Sequence, residues 1–220
     1  MTNKFKSLSK QLREITPIAL IIFIPTLALL LMVGVVSWQT NIPIMDFTRD
    51  PISIIDAPVY IGIVSNIGII FWAAGAAVCF FSAAIVNGVR HQNAAFYFLL
   101  FGGAITTILL FDDFFLLHER IFPEYLNTSE SQAFLLYLLI IIAYLVGYRQ
   151  KILETDFLLL GLSLLSFAFS AVTDEIFVDH FRGKFLVEDG FKLLGILTWG
   201  TYFARVGIAE IKHSLQGNDK

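Results

Sequence analysis

PIALIIFIPTLALLLMVGVVSW, residues 17–38, contains no charged side chain from Pro17 to Trp38. It decides the fold class, because about 20 consecutive apolar residues in an α-helix cross the hydrocarbon core of a bilayer. A basic flank precedes it, as in a secretory signal. The run is nevertheless too long for a signal-peptide core, and no A-x-A cleavage site follows it, so it reads as an uncleaved first span.

Working outward, residues 1–16 place Phe5, Leu8, Leu12 and Ile15 at helical spacing, with Lys4, Lys6, Lys10 and Arg13 between them. This pattern predicts an amphipathic helix lying on an anionic leaflet. Downstream, apolar runs over about 57–86, 94–117, 133–148, 157–176 and 190–208 approach the same spanning length. The expectation is an all-α integral membrane protein: a bundle of six transmembrane helices within residues 17–209, and a tail over 210–220. Composition agrees, with 57% hydrophobic residues, 15% charged residues and a mean hydropathy of +0.76. The single cysteine, Cys79, sits inside an apolar run, which leaves no disulfide framework and no cysteine-based metal motif and gives it a packing role.

Loop charges orient the spans. With the amino terminus inside, Lys4, Lys6, Lys10, Arg13, Arg90, Arg149, Lys151, Arg205, Lys212 and Lys220 fall on the inner side, against Arg49, Arg120, Arg182 and Lys184 outside. That excess predicts both termini in the cytoplasm of a plasma or bacterial inner membrane. The connection over residues 39–56 holds Pro43 and Pro51, with Pro58 just beyond. It reads as an extended or turning loop over the outer mouth.

Three acidic clusters then share the outer side: Asp112 and Asp113 with His118 and Glu119; Asp174 and Glu175 before His180; and Glu188 and Asp189 before Lys192. Carboxylates at the carboxyl end of a helix meet the negative pole of its dipole, so they require protonation, a counter-charge such as Lys192, or a bound cation. At about 100° per residue, Ser163, Ser166, Ser170, Thr173 and Asp174 share one sector. Thr106 and Asp113 share another, with Asp112 about a quarter turn away. Asn66 reads as part of the floor beneath.

The chemistry this predicts is metal-assisted. Asp113, Asp174 and Glu188 are the leading metal ligands, with Asp112, Glu119 and Asp189 beside them. His118 and His180 are ligands or general acid/base, and Lys192 is the partner of an anionic or phosphate group. Thr106, Ser170, Glu175 and Asn66 support the site. Oxygen-rich ligands suit magnesium, calcium or manganese, and histidine extends the choice to zinc or iron. The expected function is a metal-dependent membrane hydrolase acting on a lipid or lipid-linked substrate. The same acids also fit a proton or cation transporter, and an acidic docking surface fits a non-catalytic assembly subunit. No nucleotide loop, nucleophile elbow or basic nucleic-acid patch occurs, so the expected partners are the bilayer and its lipids.

Asp and His at helix ends loosely resemble the membrane metallohydrolase superfamily that includes alkaline ceramidases and the progestin and adiponectin receptors. That pattern includes a paired H-x-x-x-H, which this chain lacks, and no residue role is carried over from it.

Overall fold

The computed structural model of the chain describes residues 8–90, 94–176 and 184–216, with the side chains of residues 8–12, 14, 90 and 174–176 outside that description. Among the described residues every regular element is helical and no strand occurs. The chain forms two compact units, Met1–Ile61 and Gly62–Lys220.

In the first unit, α1 (Leu8–Thr40) is one uninterrupted helix with Pro17 and Pro25 inside it. The expected boundary between an interfacial helix over 1–16 and the first span is therefore not a break in the helix. Asn41, at φ 56°, ends it in the left-handed conformation that asparagine tolerates after a helix. The connection that follows is not extended. It forms α2 (Ile44–Thr48) and α3 (Pro51–Ile54). Asp50 caps α3, its Oδ1 accepting from Ile52 N at 2.8 Å and Ser53 N at 3.4 Å, and Pro51 takes the first helical position, where no N–H is missed.

The second unit contains α4 (Ile63–Arg90), α5 (Ala94–Phe115), a π-helical turn (Leu117–Ile121), α6 (Phe122–Leu126), α7 (Glu130–Gly147), α8 (Arg149–Leu153), α9 (Phe157–Ile176) and α10 (Lys184–Gln216). The second apolar run starts at Ala57, but α4 begins only at Ile63, because Gly62 turns the chain at φ +69°. A capping box starts α7. Ser129 Oγ accepts from Gln132 N, and Gln132 Oε1 accepts from Ser129 N. Helix α10 extends past the expected tail boundary to Gln216 and packs along α4 and α9, while α5 packs along α4.

Among the described residues, four helices are long and apolar enough to cross a membrane: Ile15–Thr40, Ile63–Val89, Ala94–Phe115 and Glu130–Gly147. Such helices mark a membrane protein. Phe157–Thr173 is apolar but shorter, and α10 falls outside this group. Charged residues from Lys184 to Lys212 interrupt α10 along its length.

Aromatic rings fill the interior of the second unit. Trp72 of α4 stacks on Phe167 of α9, with ring centroids 5.6 Å apart, and Trp199 of α10 meets both edge-on. Gly195 makes this approach feasible, since a Cβ there would lie 2.5 Å from the Phe167 ring. Phe98, Tyr202, Phe203 and Cys79 are fully buried in the same core. At one end, the segment from α8 to the start of α9 is tied to α10: Lys151 to Glu210 at 2.6 Å, Thr155 to Tyr202 at 2.8 Å, and Asp156 to Arg205 at 2.6 Å. The candidate site lies at the carboxyl-terminal end of α5.

Candidate functional site

The site begins with how α5 stops. Leu116 takes the left-handed conformation (φ 53°, ψ 46°), unusual for a residue with a Cβ, and the chain then widens into the π-helical turn. The turn closes when Ile121 N donates to Leu116 O at 3.3 Å. The reversal brings His118 back over the last turn of α5. There its backbone N–H donates to Asp112 Oδ1 at 3.0 Å and its ring Nδ1–H to Asp112 Oδ2 at 2.6 Å. Tyr137, one face of α7, donates its hydroxyl to Asp112 Oδ1 at 2.6 Å. Asp112 thus accepts three hydrogen bonds, the condition under which a buried carboxylate stays ionised.

With Nδ1–H committed to Asp112, Nε2 is the imidazole atom left to exchange a proton or take a ligand. It lies 3.6 Å from Glu119 Oε1, and the ring packs on Phe134. Burial opposes the charged imidazolium, but the hydrogen bond and charge of Asp112, aided by Glu119 and opposed by Lys192, hold the His118 pKa above the ordinary histidine value.

Asp113, the next residue, faces a different set of partners. Its Oδ2 accepts from Trp72 Nε1 at 3.2 Å and its Oδ1 pairs with Lys192 Nζ. The two carboxylates are equally buried, at 6% and 7% exposure, yet each has its own basic partner, His118 for Asp112 and Lys192 for Asp113. Lys192 keeps 34% of its side chain exposed while paired. Beside it, Asp113, Asp189 and Ser65 help line a cavity of about 20 Å³. That is room for one water-sized group.

The structure brings together Asp112, Asp113, His118, Glu119, Asp189 and Lys192. Thr106 is buried below them, donating to Gly102 O and accepting from Trp199 Nε1 at 2.9 Å, a packing role. Asn66 is exposed and does not form the floor, whose α4 wall is Val64, Ser65 and Gly68. Glu188 is half-buried on α10 and does not line the cavity. Asp174 and Glu175 lie on α9, but their side chains are outside the described residues, as is His180 entirely. Among the described residues, no group of three His, Cys, Asp or Glu side chains is arranged to hold a metal ion. The polar sector of α9 is buried as the helical spacing requires, but its hydroxyls serve packing. Ser163 donates to Gly195 O, Ser166 to Leu162 O and Thr173 to Phe169 O.

Sequence reasoning missed Tyr137 and Trp72. Trp72 left a signal, since an indole N–H inside an apolar run needs an acceptor and the carboxylates of α5 were available.

A family model described as Domain of unknown function (DUF8692) matches residues 19–206, and the chain belongs to that family. No curated protein and no solved structure matches the chain.

Proposed function

We propose that this member of the DUF8692 family is a membrane-embedded enzyme that works by acid–base chemistry on a lipid or lipid-linked substrate. In this reading the His118 end of α5 faces outward and both termini lie inside, as the loop charges support. One observation carries it: an imidazole at the end of a membrane helix, oriented through Nδ1 by a carboxylate that Tyr137 and a backbone N–H also hold. That arrangement fixes the tautomer and aims Nε2, the atom that accepts a proton from water or a hydroxyl and returns it to a leaving group. Lys192, paired yet partly exposed, is the cation an anionic head group would meet.

A metal-assisted form of the same reading has narrower support. His118 Nε2 and Glu119 Oε1 lie 3.6 Å apart, and a carboxylate behind Nδ1 is how a metal-bound imidazole is held. Transport is less supported, because the stacked rings of Trp72, Phe167 and Trp199 fill the interior beside the α9 hydroxyls.

The test uses purified full-length protein in nanodiscs, presented with ester-, amide- and phosphoester-linked lipids. Turnover should fall by about 10²–10⁴ in His118→Gln, the range for loss of a general acid/base, and also in Asp112→Asn. Equal turnover in wild type and His118→Gln would overturn the reading. Metal bound by wild type and lost in a His118→Ala, Glu119→Ala variant would select the metal-assisted form.

A further inference from the structure

Helices α5 and α7 meet at the Asp112–Tyr137 hydrogen bond and leave an apolar groove of about 260 Å³ between them. Its α5 wall is Phe101, Ile105 and Ile108, spaced as one face of a helix, and Ile108 lies one turn from Asp112. Its other wall is Ile140 and Tyr144 of α7 with Tyr148 just past that helix's end, and Ile140 lies one turn from Tyr137. The groove therefore runs away from the site along the two helices that build it. Tyr144 spends its hydroxyl on Phe98 O at 3.0 Å and presents only its ring. Both helices belong to the group long and apolar enough to cross a membrane, which places the groove at the depth of lipid chains.

We infer that this groove holds one hydrocarbon chain of the lipid whose head group meets His118, an inference that rests on the acid–base reading above. The volume favours a chain over a whole lipid, since it falls below the roughly 300–1,000 Å³ of pockets that enclose a complete small ligand. The apolar lining offers nothing to a charged or hydrogen-bonding partner. Continuity with the site gives the chain a direction, with its polar end toward Asp112, Tyr137 and His118.

The experiment uses the full chain in phosphatidylcholine nanodiscs containing a small fraction of phosphatidylcholine with a photoreactive diazirine midway along one acyl chain. After irradiation, mass spectrometry maps the adducts. They should concentrate on the groove positions of α5 and α7, and Ile108→Trp, which fills the groove, should lower them several-fold. Ile140→Trp fills it from the other wall and serves if the first variant does not fold. Adducts spread evenly over the exposed apolar faces of α4 and α9, or groove adducts indifferent to both tryptophan variants, would mean annular lipid only and overturn the inference. Groove adducts together with undiminished turnover in His118→Gln would keep the groove and sink the acid–base reading alone.

Discussion

At the scale of single residues, the neighbours Asp112 and Asp113 differ because helical rotation aims them at different helices. The quarter-turn offset was legible in the sequence, as was Lys192 as a counter-charge. Tyr137 was not, since its hydroxyl reaches Asp112 only once the register of α7 against α5 is fixed. A hydrogen bond to an ionised group contributes about 1.5–3 kcal/mol, so Tyr137→Phe should lower unfolding stability by that order, measured by denaturation in detergent. An unchanged midpoint would place the hydroxyl outside the Asp112 network. The His118 pKa is raised in the folded chain, so its stabilisation is complete below the ordinary value near 6.5 and is lost as pH rises through the higher folded value. The stability difference between wild type and His118→Gln should therefore shrink with rising pH above 6.5. A difference that stays flat across that window would show that Asp112 does not hold His118 as an imidazolium.

At the scale of elements, four of the six expected spans were legible, because hydropathy alone marks where the apolar helices α1, α4, α5 and α7 lie, whereas the apolar part of α9 is shorter and α10 falls outside that group. Helix ends were less legible. Pro51 reads as a breaker in the sequence, yet with Asp50 before it the same residue starts α3. The stop of α5 was hidden for the opposite reason: Leu116 adopts a conformation that its side chain disfavours, with no glycine to announce it. Left-handed backbone costs an L-residue about 1–2 kcal/mol relative to glycine, and a β-branched side chain pays more still. Leu116→Gly should thus fold with stability equal to wild type or better, whereas Leu116→Val should be destabilised by more than about 1 kcal/mol. The reading is a thermal melt paired with the His118 ring chemical shift, which reports whether the turn still delivers the imidazole to Asp112. Equal tolerance of valine and glycine would mean that the turn is not held in this conformation.

Across the second unit, helices α4, α5 and α10 converge on one carboxylate. Asp113 receives the indole of Trp72 from α4 and the ammonium of Lys192 from α10, while the direct packing of α10 on α5 is slight beside its packing on α4 and α9. The sequence offered both Lys192 and a bound cation as counter-charges for these acids, and the structure pairs Lys192 with Asp113. Lys192 thus gives Asp113 a counter-charge from within the chain. Removing one member of a buried pair typically costs about 3–5 kcal/mol, because the other is left charged in a poor solvent, whereas replacing both with neutral groups is often close to neutral. Here Lys192 is a third exposed, which moves the expected cost of Lys192→Met toward or below the lower end of that range. Asp113→Asn should cost a similar amount, since it strands the ammonium and keeps only the indole bond. The double variant should recover most of either loss. A double-mutant cycle in detergent measures the coupling directly, and additive single effects would show that the pair does not join α5 to α10. Strong coupling would explain why a chain that must keep charges at the end of apolar helices places them as complementary neighbours: Asp113 with Lys192 and Asp112 with His118 confine most of the electrostatic cost.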